Sequence, residues 1–278
     1  MKRLFVRLLF FSIISGHIFY SQSLKALVPF YYYPEKKSLK KEASSIGKQA
    51  YQLLYFGQIR DSLNLAKLAI KMDNNNETLW MILAEAQTAN KLYDEALTSL
   101  NNALEINPKI AEIYFAKSTL FLKQSKYKKA RISLELGIKV DPENFKAIFQ
   151  LGNIYLMEKN YENALKEFDK AIKLKKDFWQ AINNKGLAYF ELNKISQSIN
   201  SFKKAISLEE NAEPLLGLAA CLKNQDINKA IVLAKKALTK EPNYVEYNYR
   251  TEQLWGKRLQ SATEKLFENS QLKKEILL

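Results

Sequence analysis

Residues 145–174 read FKAIFQLGNIYLMEKNYENALKEFDKAIKL, a segment that reads as two helices joined by a short polar turn. Working outward from it, the same layout returns every 34 residues. Trp80, Tyr114, Ile148 and Ile182 step by 34, as do Ala96, Ala130, Ala164 and Ser198. Pro108 and Pro142 close matching motifs, EINP and KVDP. A fixed period of this length marks a stacked array, divided here as 43–76, 77–110, 111–144, 145–178, 179–212 and 213–244, the last unit two residues short before Asp226. Three places in every unit carry only Ala, Gly or Ser. They are Ala50, Ala84, Ser118, Gly152, Gly186 and Ala220; Ser62, Ala96, Ala130, Ala164, Ser198 and Ala230; and Ala69, Ala103, Gly137, Ala171, Ala205 and Ala237. Only small side chains fit where helices approach closely, while Leu53, Phe121, Tyr155 and Tyr189 fill the space between. One unit cannot bury its apolar face, but six in a stack make a continuous core.

With Leu151, Gly152, Tyr155, Ala164, Phe168 and Ala171 in place, this array resembles the tetratricopeptide repeat family over residues 43–244. The resemblance implies an all-α fold, a right-handed superhelix (α-solenoid) of about six helix-turn-helix units. Departures are Lys117 and Lys185 where the family prefers Leu, and Asn74, Lys176 and Glu210 where it prefers the closing Pro.

The 278 residues are 47% hydrophobic and 26% charged, a folding composition, and only eight Gly and six Pro argue against a turn-dense β fold. One cysteine, Cys221, excludes an intramolecular disulfide and a cysteine-based zinc site. The single histidine, His17, lies in the first twenty residues, which excludes Ser-His-Asp and Cys-His catalysis and most His-ligated metals in the body of the chain. No Walker loop, GxSxG or GxGxxG occurs, so no catalytic residue, cofactor or metal is expected. The net charge of +14 is dispersed. Residues 1–42 hold eight Lys/Arg against two acids, whereas 77–110 are net acidic, unlike a nucleic-acid footprint. The densest basic run, Lys123, Lys126, Lys128, Lys129 and Arg131, reads as a solvated helical edge or as a contact for anionic lipid or an acidic partner.

Lys2, Arg3 and Arg7 precede thirteen uncharged residues, LLFFSIISGHIFY, at 8–20. That order makes residues 1–26 a signal peptide or N-terminal membrane anchor, with the repeats translocated to an exported or membrane-anchored location. Residues 27–42 form an aromatic and basic linker. Its start, LVPFYYYPEKK, is extended because Pro29 and Pro34 bracket four aromatics. It covers the first unit, sits at a membrane interface or meets a partner. Residues 245–278 are expected to be a C-terminal capping helix and tail, with Tyr247, Leu254, Trp255, Leu259, Leu266 and Phe267 as its apolar stripe. Trp255 or Tyr249 as a partner anchor is the alternative.

In the family, the first helix of each unit lines the concave face, with positions 2, 5, 9, 12 and 13 pointing inward and 6 nearby. The resemblance therefore places Tyr51, Met81, Phe115, Phe149, Gln150, Asn153, Asn183 and Asn184 in a peptide-binding groove. Its aromatic centre sits beside an amide patch suited to a peptide backbone. Packing against the neighbouring helix is the other reading of Phe115 and Phe149. Chaperone-binding members clamp a C-terminal carboxylate with Lys, Asn and Arg at positions 5 and 9. Here only Asn153 matches and neither position carries Lys or Arg, so no cytosolic chaperone clamp is expected. The partner is a protein or peptide, with membrane contact through the N-terminal segment, and no nucleic acid is expected. The function is a non-catalytic protein–protein interaction scaffold that assists a membrane protein complex. A generic soluble adaptor and an RNA-binding helical-repeat protein are the alternatives. More narrowly, ALVPFYYYP at 26–34, AINNKG at 181–186 and EQLWG at 252–256 resemble cyanobacterial and plastid members of the family. That likeness implies photosystem or thylakoid assembly, in the periplasm or thylakoid lumen.

Overall fold

The computed structural model describes residues 35–276. The expected signal or anchor at 1–26 and residues 27–34 of the linker lie outside the described residues. Twelve helices pair in order. The first helices of the units are α1 (Lys36–Tyr55), α3 (Glu77–Ala89), α5 (Ala111–Lys123), α7 (Phe145–Met157), α9 (Trp179–Glu191) and α11 (Ala212–Leu222). The second helices are α2 (Ile59–Met72), α4 (Tyr93–Ile106), α6 (Tyr127–Val140), α8 (Tyr161–Leu174), α10 (Ile195–Leu208) and α12 (Ile227–Lys240). Each packs on its partner and on the following unit, so the chain is an all-α solenoid, with no strand among the described residues.

The turn inside each of the first five units has one geometry. Gly57, Lys91, Ser125, Lys159 and Asn193 all take a left-handed backbone, φ between 56° and 76°. The next residue's N–H closes back on the first helix, as in Leu92 to Gln87 at 2.9 Å and Asn160 to Tyr155 at 2.8 Å. This is a Schellman ending, which satisfies carbonyls that the helix leaves open. Side-chain caps start several helices. Asn76 accepts from the Thr78 and Leu79 N–H groups, and Asp226 from Lys229.

All eighteen small positions are buried. The reason is visible at Gly152, where a Cβ would stand 2.4 Å from the Phe168 ring, and at Gly186, where it would stand 2.6 Å from Phe202. The unusual lysines also have a physical account. Lys117 reaches back 2.9 Å to Asn101, and Lys185 pairs with Asp169 at the same offset in its unit. Each stem packs while its charged end finds a polar partner on the preceding second helix.

Two boundaries differ from the sequence reading. Helix α1 begins at Lys36, so residues 36–42 of the linker are helical. Pro34 constrains only its neighbourhood, and KKSLKKE beyond it contains good helix formers without Gly or Pro. The C-terminal cover is not one helix but three short ones, α13 (Tyr247–Glu252), α14 (Lys257–Phe267) and α15 (Ser270–Ile276), preceded by a 3-10 turn at Pro242–Val245. The chain breaks at Leu254, whose φ is 66°, and at Gly256, where any side chain would run into Glu191. No described helix is long and apolar enough to cross a membrane.

Candidate functional site

The inner positions of the first helices behave differently in the two halves of the array. In units one to three they line an open groove of about 630 Å³, with Leu54, Met81, Glu85, Thr88, Thr119 and Lys123 among its walls. Its floor is apolar, formed by Ala84, Leu100, Ala116 and Leu120. Glu85 and Lys123 are the charged residues of the lining, and burial pushes the Glu85 carboxyl above the usual carboxylate range. Beside the groove, Tyr51, Tyr55 and Phe56 are exposed, Tyr55 by 82%. Such a cluster of exposed aromatics marks a contact surface.

In units five and six the chain fills its own concave face. Helix α14 packs across α9 and α11. Trp255 is 4% exposed and donates its indole N–H to Glu213 at 2.9 Å. Glu191 accepts from the backbone N–H groups of Arg258 and Leu259 at 3.3 and 2.9 Å, capping α14 from the inside of the array. Trp255 is thus fixed inside the fold, and Tyr249 stacks edge-on against Tyr244 with ring centroids 5.0 Å apart. Trp255 is therefore no free partner anchor, whereas Tyr249 is half-buried.

This geometry corrects part of the expected groove. Asn183 is fully buried and Asn184 nearly so. Asn184 donates to Asn153 at 2.8 Å, and Asn183 donates to Asn184 at 3.1 Å and to Glu213 at 2.8 Å. The amide N–H groups of Asn183 and Asn184 are spent on one another, on Asn153 and on Glu213 rather than on a peptide backbone, while Asn183 Oδ1 stays buried without a partner. Phe149 packs on Phe168 and Phe178 at 5.8 and 4.9 Å between ring centroids. Phe115 lies over Gly137 and joins the core between units three and four. Both are inter-helix packing residues. Met81 lines the open groove, and Tyr51 and Gln150 are exposed.

Sequence reasoning missed Glu213 and Glu191. Their partners lie 42 and 67 residues away, and nothing local in the sequence links them. AINNKG and EQLWG, which are far apart in the chain, meet here through Glu213.

Glu213 is pushed up to about 7, chiefly by burial and in spite of the Trp255 and Asn183 hydrogen bonds. Its folded value lies above its ordinary value of 4.5, so the proton is held more tightly in the folded state. Below about pH 4.5 both states are protonated and nothing is lost. As pH rises toward 7 the unfolded chain ionises first, and stability falls by on the order of 3 kcal/mol before levelling off. Urea unfolding of the wild type should therefore weaken across that window, while Glu213→Gln removes this component of the slope. Equal slopes for the two proteins would show that the carboxyl titrates normally.

Cys221 is buried 3.4 Å from the Ser198 hydroxyl, and burial raises its thiol to about 12, so it is inert. The basic run is divided. Arg131 pairs with Glu135 at 2.9 Å and Glu158 at 3.3 Å, Lys123 lines the groove, and Lys128 and Lys129 are exposed. Among the described residues no group of three His, Cys, Asp or Glu could hold a metal ion.

Comparisons agree with the repeat geometry. A family model described as TPR repeat matches residues 152–192. Two described as tetratricopeptide repeat match 111–144 with 180–211, and 48–109. Together they reach more than half of the chain. None of the curated proteins compared matches it. Among solved structures, PilF of Pseudomonas aeruginosa superposes with a TM-score of 0.63 at 16% identity, over 77% of this chain and 99% of that one. MamA from Desulfovibrio magneticus RS-1 gives 0.55 at 20%, over 60% and 94%. YrrB, described as a TPR protein with an unusual peptide-binding site, gives 0.53 at 19%, over 61% and 88%. At these identities the likeness is one of fold. On its period, its buried small residues and these matches, the chain belongs to the tetratricopeptide repeat family.

Proposed function

We propose that the protein is a non-catalytic scaffold that holds a segment of a protein partner in the groove of units one to three. The observation that carries this is the split concave face. The C-terminal segment occupies units five and six, and the apolar groove beside Tyr51, Tyr55 and Phe56 stays open. An extended or helical segment with apolar anchors fits that floor, and Glu85 is placed to take a donor from it. YrrB, with the same fold, is described as having a peptide-binding site.

Export or membrane anchoring, with the repeats translocated, is supported by Lys2, Arg3 and Arg7 before the apolar run at 8–20. On that reading the partner belongs to a membrane protein complex whose assembly or maintenance the scaffold assists. The likeness of ALVPFYYYP, AINNKG and EQLWG to cyanobacterial and plastid members points to a photosynthetic complex.

Purification from the native cell in gentle detergent tests both parts, with mass spectrometry of the partners and of the protein's own N-terminus. The expected result is a set of membrane-complex subunits and a mature start near Ser23–Leu27, or an intact anchor in the membrane fraction. Thr119→Arg on the exposed rim and Met81→Lys in the wall should each cut recovery of those subunits by at least about tenfold, with Thr119→Arg leaving the melt unchanged. Undiminished recovery with both variants would refute the groove. Soluble partners with an intact N-terminus would refute export.

A further inference from the structure

A second cavity, of about 560 Å³, lies at the other end of the array, between the turns of units five and six and helix α14. It is remote from the groove of units one to three and shares no lining residue with it. Four cations line it: Lys223 from the end of α11, and Lys257, Arg258 and Lys265 from α14. No carboxylate belongs to the lining, which is completed by polar groups such as Asn224 and Ser261 over an apolar floor.

The arrangement follows from the helix. Positions 257, 258, 261, 262 and 265 share one face of α14, since residues three and four apart are neighbours. The opposite face, Leu259, Thr263 and Leu266, is buried against the array. Packing of that apolar face therefore forces the basic face onto the cavity.

What sets these cations apart is that four of them share one concavity whose lining holds no carboxylate. Several other lysines of the array stand beside an acid instead: Lys194 with Glu162, Lys236 and Lys240 with Glu210, and Lys170 with Glu167. No ion pair with a described residue holds Lys223, Lys257, Arg258 or Lys265. Arg258 donates its guanidinium to Asn193 at 2.5 Å, a neutral partner, which fixes it toward the cavity without cancelling its charge. Glu191 lies outside the lining, at the start of α14, where its carboxylate accepts from the Arg258 and Leu259 N–H groups. Four like charges converging on one concavity repel one another, and a multivalent anion would relieve that repulsion.

We propose that this cavity binds a phosphate-bearing ligand with at least two negative charges. Lysines supply the field and Arg258 the directed donors, the combination suited to phosphate oxygens. The apolar floor of Phe190, Ile195 and Ala262 leaves room for the body that carries the phosphate. That body is either a soluble molecule or a lipid headgroup.

The test uses the full chain and two probes, sodium pyrophosphate by calorimetry and phosphatidylcholine vesicles with and without phosphatidic acid by flotation. Lys257→Ala with Lys265→Ala removes two of the cations at exposed positions. Lys203→Ala with Lys204→Ala on exposed α10 removes the same charge elsewhere. The expected result is binding by the wild type and by the α10 control, weakened at least about tenfold in the α14 double variant. Pyrophosphate binding with that pattern identifies a soluble ligand, and binding only to phosphatidic acid vesicles with that pattern identifies a lipid phosphate. Binding to neither probe, or equal weakening in both double variants, would overturn the site.

Discussion

Arg250→Met should lower stability by about 3–5 kcal/mol and loosen the C-terminal cover before the rest of the array. Arg250 is 0% exposed and makes four directed bonds to the cover. Its Nε donates to Gln260 at 2.7 Å and its Nη1 to the carbonyls of Tyr244 and Val245 at 2.7 and 2.8 Å, while Nη2 pairs with Glu264. Methionine fills a similar volume but donates nothing, so Gln260 and the buried carbonyl of Tyr244 lose their partner. Each orphaned acceptor costs roughly 1–3 kcal/mol. Because a repeat array is stabilised unit by unit through neighbour contacts, the loss should be local. Hydrogen exchange should show protection falling in 244–267 and holding in units one to three. Uniform loss along the chain, or none, would contradict this account of the cover.

Phe168→Ala should cost a similar amount, about 3–5 kcal/mol, in the middle of the array. The ring is fully buried, faces Gly152 and packs on Phe149, so its removal opens a cavity between units four and five. The surrounding helices cannot close that gap, since Ala164, Ala171 and Ala181 already bring their backbones together. Urea unfolding should shift to a lower midpoint or split in two as the halves uncouple. A paired change, Gly152→Ala with Phe168→Leu, should recover part of the loss by moving bulk from one helix to the other. A single-variant cost below about 1 kcal/mol would mean the junction is not tightly packed.

The order of helices was legible in the sequence because it depends on local spacing. Small residues must recur wherever helices cross closely, and a period of 34 with three small positions per unit leaves few other folds open. The lysines at 117 and 185 looked like departures and turned out to be anchored 16 residues back, a spacing readable only once the helix pairs are in register. The repeated left-handed turns were also hidden. Gly57, Lys91, Ser125, Lys159 and Asn193 share a conformation but not one residue type, so three of the five turns carry no Gly or Asn to signal it.

The site was less legible. Met81, Glu85, Thr88 and Ala89 of unit two line the open groove with Leu54, Thr119 and Lys123 from its neighbours, whereas Phe115 packs between helices. In units five and six the first helices are covered by α14. Sequence by itself determined the solenoid, its phase and the class of side chain at each helix contact, because those follow from interactions between near neighbours in a periodic chain. Only the tertiary structure decided which half of the concave face is open, what Asn183 and Glu213 bind, and where the cations of α14 gather. These depend on contacts between residues 30 or more apart in the chain, and the direction of its return is set by the break at Leu254 and Gly256 and by burial of Trp255 and Leu259.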